Sequence, residues 1–227
     1  MSAMLGQIAA IARKDLLIEW RSPSRISGLF FFSLALLLMV AFATGASTSI
    51  LHKIAGGSLW LGVLLASTRS LDLSFSIETD QDALEGLLLW PVDPRAIYYG
   101  KAVANTMVLV VVATLLTPLM IAMYDAPIRG NPAIFAGFIL FGSAALAAPG
   151  TLYALLTTRA RAASVLLPVL LFPLVVPALV AASAGTTLVM EGDPMVQAPS
   201  WLALLVAFDA LHWSLGGLLF GRVLEET

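Results

Sequence analysis

The chain has 227 residues, of which 59% are hydrophobic and only 11% charged, with a formal net charge of −2 and no cysteine. A soluble domain averages about 25% charged residues, so this is the composition of an integral membrane protein. Disulfide, zinc-thiolate and thiol chemistry are excluded, and the lack of a basic stripe argues against nucleic acid as a partner.

In chain order, the first expected element is a helix over about residues 3–21. Leu5, Ile8, Ala9, Ala12, Leu16 and Trp20 share one side, with Gln7, Arg13, Lys14 and Arg21 off it, as in an amphipathic helix lying along the membrane surface. Glu19 intrudes on that side, and Ile11 and Ile18 point away from it, so packing against another helix of the protein is a nearly equal alternative. Ser22-Pro23-Ser24 then turns the chain into the first of six apolar windows. They fall at about 28–46, 54–71, 102–124, 133–153, 164–184 and 201–221. Each is long enough to cross about 30 Å of hydrocarbon at about 1.5 Å per residue. The first window begins only at Gly28, after Asp15 and Glu19, which does not fit a cleaved signal peptide. The expected fold is an all-α membrane protein with six transmembrane helices, forming one transmembrane domain over 1–227.

Orientation follows from the cations. With the N-terminus in the cytoplasm, Arg13, Lys14, Arg21, Arg25, Arg69, Arg95, Lys101, Arg159, Arg161 and Arg222 lie inside, and only Lys53 and Arg129 outside. The positive-inside rule therefore puts both termini in the cytoplasm.

Between the second and third windows runs the longest polar interruption, Glu78 to Lys101. Thr79 can cap a short helix over about 79–90, with Asp82 closing a capping box and Pro91 ending it. Leu84, Leu87 and Leu88 stand at i, i+3 and i+4, beside Asp82 and Glu85, so the helix offers a leucine ridge flanked by acid. Four acidic residues between Glu78 and Glu85, with no base among them, would repel an anionic leaflet. A bare connector would leave the ridge in water. Both alternatives are weaker than a helix that docks into a groove on a cytoplasmic protein. Asp93 and Pro94 should start the next helix, with Tyr98, Tyr99 and Lys101 at the membrane surface.

Further along, Gly56, Gly57 and Gly62 make the second span glycine-rich, and Arg69 can reach Asp72 or the headgroups. The fourth apolar run ends at Pro149-Gly150. Pro168, Pro173 and Pro177 make a continuous straight fifth helix improbable. Glu191-Gly192-Asp193-Pro194 reads as a turn. In the sixth span, Asp209 and His212 form an intramembrane ionisable pair three residues apart. An unpaired Asp at the bilayer centre costs about 2.5–3.5 kcal/mol, so His212 is the expected partner of Asp209. A structural pair and a working polar site on a substrate or proton path both remain open. Gly217 and Gly221 form G-x-x-x-G, which suits a dimer contact or packing within one chain.

No G-x-x-x-x-G-K-[ST] loop is present, so the chain does not hydrolyse ATP by that route and is not an enzyme of that kind. Any energy must come from a partner. His52 and His212 do not form a metal-ligand spacing, and His52, beside Lys53, reads as a solvated outer-loop residue. Neither a G-x-G-D setting nor a G-x-S-G nucleophile is present, which leaves intramembrane proteolysis without its parts.

The acidic segment carries an acidic residue, then L-E-x-L, a proline, and a lysine at the start of the third span. These are Asp82, Leu84-Glu85-Gly86-Leu87, Pro91 and Lys101. In this it resembles ABC-transporter permeases of the exporter type, which pair six spans with a separate ATPase. The opening Arg13-Lys14-Asp15-Leu16 with Glu19 and Arg21-Ser22, the run from Leu84 to Leu89 with Pro91-Val92-Asp93, and the total length narrow the match. They resemble the haem exporter protein B family of the cytochrome c maturation system. The resemblance implies a multi-pass permease subunit in a bacterial inner membrane, working as a dimer with two copies of an ATPase, haem exporter protein A. It also implies association with the small subunits C and D and a periplasmic haem chaperone. Asp82, Leu84, Glu85, Leu87 and Leu88 are then the ATPase-docking residues. Haem is the implied substrate, ATP is used only through the partner, and no cofactor is bound directly. ATP hydrolysis could instead remodel the complex to release the loaded chaperone. The sequence leans toward that view, because it has no tryptophan-rich haem platform and no outward pair of histidines to ligate iron. A non-transporting assembly scaffold, or an exporter-type permease for another substrate, are the alternatives.

Overall fold

The computed structural model describes residues 2–45, 47–80, 93–157 and 163–226. Among these residues every regular element is a helix: α1 (Ser2–Arg21), α2 (Pro23–Ala43), α3 (Thr48–Asp80), α4 (Pro94–Tyr124), α5 (Pro132–Thr157), α6 (Ala163–Glu191) and α7 (Ala198–Glu226). Six of them, α2 to α7, are long and apolar enough to cross a membrane. Each contains the core of one of the windows expected from hydropathy.

The helix starts follow local chemistry. Asp93 caps α4, its Oδ1 accepting from the Arg95 amide at 2.8 Å, with Pro94 in the first turn. Before α5, Asn131 Oδ1 accepts from the Ala133 amide at 2.9 Å. Ahead of α7, Asp193 accepts from the Gln197 and Ala198 amides at 2.8 and 2.9 Å. These carboxylate and amide oxygens satisfy amides that have no partner within their own helix. The turn at Glu191-Gly192-Asp193-Pro194 forms as expected, with Gly192 at φ 97°.

Helix α5 is the hub, packing against α3, α4, α6 and α7. Its small residues let neighbours approach closely. The Trp60 ring of α3 lies where a Cβ on Gly142 would stand, at 2.1 Å, and Leu71 fills the corresponding place at Gly150, at 2.3 Å. Trp60 Nε1 donates to Thr186 Oγ1 on α6 at 3.0 Å, which satisfies the buried indole. Large apolar side chains such as Phe31, Met39, Phe42, Val169, Val176 and Leu218 face outward, the surface expected for a lipid solvent.

Several expectations are corrected. Helix α6 runs without interruption through Pro168, Pro173 and Pro177. Each proline removes one amide donor, a local loss that a helix packed on three sides, against α3, α5 and α7, tolerates. Helix α5 likewise continues past Pro149 to Thr157. On α1 part of the expected stripe packs inward, with Ala12 buried and Leu16 against the core, and Ile11 from outside the stripe joins them. Ala12 is buried against α4 and Ile11 sits 2.7 Å from where a Cβ on Gly100 would be, whereas Leu5 and Trp20 are exposed. The notch at Gly100 selects the Ile11 side for docking. His52 is half-buried in the first turns of α3, with Nε2 hydrogen-bonded to the Asp125 carbonyl, so it ties α3 to the end of α4 instead of lying free in a loop.

Candidate functional site

The segment joining α3 to α4 was singled out by its polarity. Helix α3 extends through Asp80, so Thr79 lies in its last turn. Asp82, Leu84, Glu85, Leu87 and Leu88 lie outside the described residues, and so does nearly all of the expected docking helix over about 79–90. What is described is the frame that holds the two ends of this segment.

That frame centres on Lys101, in the second turn of α4. Its side chain is buried, at 1% exposure, with Nζ donating to the Ser74 carbonyl of α3 at 3.0 Å and pairing with Asp15 Oδ2 of α1 at 3.4 Å. Lys14 reaches the other oxygen of Asp15 at 2.9 Å. One ammonium therefore joins three helices at the point where the polar segment re-enters the bundle. The first turns of α4 are gripped from the far side by α7. The Tyr98 ring stands where a Cβ on Gly216 would be, at 2.1 Å, and the Tyr99 hydroxyl does the same at Gly217, at 2.2 Å. Tyr98 Oη lies within hydrogen-bond distance of the carbonyls of Ala148 and His212, at 3.2 and 3.3 Å. Tyr99 stacks on Trp213, with centroids 6.2 Å apart. Tyr98 and Lys101 are thus internal, a correction to their expected place at the membrane surface. A tyrosine and a lysine are buried here because each finds polar partners on neighbouring helices.

The second candidate, the Asp209 and His212 pair, does not form. His212 stacks on Phe208 at 3.9 Å and its Nδ1 bonds the Phe208 carbonyl at 2.9 Å, within its own helix. Asp209 is buried at 7% exposure, and neither carboxylate oxygen has a hydrogen-bond partner. Spacing by three on a helix brings two side chains near one another but does not fix their rotamers, and the aromatic neighbour holds the imidazole elsewhere. Asp209 sits in the wall of a cavity of about 460 Å³ between α4, α5 and α7, whose other lining includes Thr106, Met107, Leu140, Val206 and Trp213. Among the described residues, no three His, Asp or Glu side chains come together as a metal site would require.

The G-x-x-x-G glycines are used inside the chain, Gly217 against Tyr99 and Gly221 facing Pro94 at 3.5 Å. Sequence reasoning missed the Lys101 clamp. Its partners lie 86 and 27 residues away, and no local pattern connects them.

The profile of the family described as CcmB protein matches residues 6–225, nearly the whole chain. The chain belongs to the CcmB family. Similar proteins include the haem exporter protein B of Rhodobacter capsulatus, 32% identical over 202 residues, covering 88% of this chain and 90% of that protein. The haem exporter protein B of Paracoccus denitrificans is 31% identical over 204 residues, covering 87% and 93%. That of Pseudomonas aeruginosa is 26% identical over 204 residues, covering 90% and 91%. In this CcmB chain the motifs that suggested the family, Arg13-Lys14-Asp15 and Lys101, meet in space. Asp15 and Lys101 are the two halves of the buried pair that fastens α1 to α4. A CcmB-family chain with six helices long and apolar enough to cross a membrane is a multi-pass membrane protein.

Proposed function

We propose that this chain is the permease subunit of an ABC transporter for cytochrome c maturation in a bacterial inner membrane, with both termini cytoplasmic. In this reading a separate ATPase subunit, haem exporter protein A, docks on residues 79–90 through Leu84, Leu87 and Leu88, with Asp82 and Glu85 at the rim. A dimer of this chain works with subunits C and D and the haem chaperone. The family match along residues 6–225 carries the reading. The frame around Lys101 supports it mechanically. A load applied between Asp80 and Pro94 reaches α3 and α4 directly, and the Lys101 contacts with Ser74 and Asp15 pass it to α1.

ATP hydrolysis in the partner drives either haem export or release of the haem-loaded chaperone. The second is favoured by the short connections at the end of the bundle away from the termini, such as 125–131 and 192–197, which among the described residues form no domain there to hold a ligand outside the helices. Proteoliposomes containing the complex decide between them. ATP-dependent vectorial haem uptake selects export, and ATP hydrolysis with chaperone release but no uptake selects remodelling.

Recruitment tests the docking assignment. Leu87→Ala should weaken ATPase binding by about 2–4 kcal/mol, by analogy with core truncations, and Glu85→Ala by about 1 kcal/mol or less. Leu87→Arg should abolish recruitment and c-type cytochrome formation while all six spans insert. The chain lacks cysteine, so a single cysteine at Leu84 can be crosslinked without background. If Leu87→Arg keeps the ATPase at the membrane and no position from 81 to 90 gives a crosslink, the docking assignment is wrong.

A further inference from the structure

A cleft of about 640 Å³ opens between α2 and α3 at the end of the bundle that carries the termini, lined by Ser24, Arg25, Gly28, Leu29, Phe32, Leu65, Thr68, Arg69 and Leu73. Its composition is layered. Arg25 and Arg69 both lie roughly 20 residues, or about 30 Å of helix, from the turn that joins α2 to α3. That distance matches the thickness of the hydrocarbon layer, so both guanidiniums stand at one headgroup level. Deeper in, the lining is apolar, with Leu29, Phe32 and Leu65. Gly28 leaves the floor open, because a Cβ added there would meet nothing within 4 Å.

Neither arginine is saturated by this chain. Arg25 Nη1 stands 3.6 Å from Glu19 and Arg69 Nη1 3.6 Å from Asp72, longer than the 2.7–2.9 Å typical of a charge-assisted hydrogen bond. Each guanidinium has five N–H donors in a planar fork suited to phosphate. Burial also pushes the Glu19 carboxyl above its ordinary range, with Arg25 opposing that shift, so the carboxylate beside Arg25 is a reluctant anion.

We infer that this cleft is a binding site for one anionic phospholipid, its phosphate held between Arg25 and Arg69 and an acyl chain lying over Gly28 against Leu29, Phe32 and Leu65. A free phosphate would satisfy the arginines but leave the apolar slot empty. A zwitterionic lipid would fill the slot but bring its own cation to the arginines. An anionic lipid matches both layers, in line with basic pockets between transmembrane helices that hold acidic headgroups. The inference does not depend on which partner drives the chain.

The test uses the delipidated full-length protein in a neutral detergent, titrated with phosphatidylglycerol, phosphatidylcholine or sn-glycerol 3-phosphate, with bound molecules counted by native mass spectrometry. Phosphatidylglycerol should bind at one site about tenfold or more tighter than phosphatidylcholine, and glycerol 3-phosphate should not compete at millimolar concentration. Gly28→Leu, which starts from a Cβ that meets nothing within 4 Å and puts bulk into the slot, should weaken that site about tenfold or more, and Arg69→Gln about fivefold. Arg69 is well exposed and a Cβ at Gly28 meets nothing within 4 Å; circular dichroism melting checks that both variants fold. Equal affinity for the two lipids, or phosphatidylglycerol binding unchanged by Gly28→Leu, overturns the inference. Competition by glycerol 3-phosphate would mean a phosphate site without a tail. A shift from dimer to monomer in Gly28→Leu, with lipid binding unaltered, would mean that a second copy of the chain covers the cleft.

Discussion

Lys101 and Asp209 are both ionisable side chains buried in the bundle, and they differ in their surroundings. Lys101 has a carboxylate and a carbonyl within reach, on two other helices. Removing one member of a buried pair typically costs about 3–5 kcal/mol, because the survivor is left uncompensated. Here Asp15 keeps Lys14 at 2.9 Å, so Lys101→Met should cost less, about 2–3 kcal/mol. The double variant Lys101→Met with Asp15→Leu should recover part of that loss, which a double-mutant cycle of thermal melts in detergent would show. Asp209 is the converse case. With no hydrogen-bond partner for either oxygen, it is a cost to the fold, so Asp209→Leu should raise stability by about 1–3 kcal/mol. If the carboxylate works on a substrate or proton path, the same variant should also lower c-type cytochrome yield at unchanged membrane abundance. A melting temperature at or below wild type, with full cytochrome yield, would remove Asp209 from consideration as a working site.

Helix by helix, contacts are set by where side chains are missing. Gly216 and Gly217 on α7 accept Tyr98 and Tyr99 of α4, and Gly100 on α4 accepts Ile11 of α1. At these positions a methyl group collides with a ring or a branched side chain. Gly216→Ala should therefore destabilise the protein by about 1–3 kcal/mol through overpacking. At Gly28 the added methyl meets nothing, and Gly28→Ala should stabilise α2 by about 0.5–1 kcal/mol through helix propensity alone. Opposite shifts in melting temperature for these two substitutions are the expected result. Equal shifts would mean that α4 and α7 do not pack at this close register.

Across the whole molecule the six spans sort the cations by end. Arg25, Arg69, Arg95, Lys101 and Arg222 lie at the end that carries α1, and Lys53 at the other with Arg129, which packs beside Gly192. If the former end faces the cytoplasm, cysteines replacing the exposed Lys53 and Arg129 should react with a membrane-impermeant maleimide in intact spheroplasts. A cysteine at Arg222 should react only after lysis. The reverse pattern would invert the topology and move the 79–90 segment away from any cytoplasmic ATPase.

Six membrane helices, their order and the two-ended charge distribution were legible in the sequence, because hydropathy and charge are properties of consecutive residues and lipid imposes a fixed length on each span. Asp93-Pro94 and Glu191-Gly192-Asp193-Pro194 were legible for the same reason, since a cap or turn is completed within a few residues. The polar interior was not. Lys101 looked like a surface anchor until Asp15 and Ser74 were brought to it, and Asp209 looked paired until Phe208 claimed the His212 ring. The prolines of α6 argued against a continuous straight helix, yet the helix is continuous, packed against three neighbours. In each case the deciding partner is a rotamer or a residue on another helix. Which face of α1 docks, which glycines are filled and which charges are matched depend on how the helices pack, and only the tertiary structure decided them.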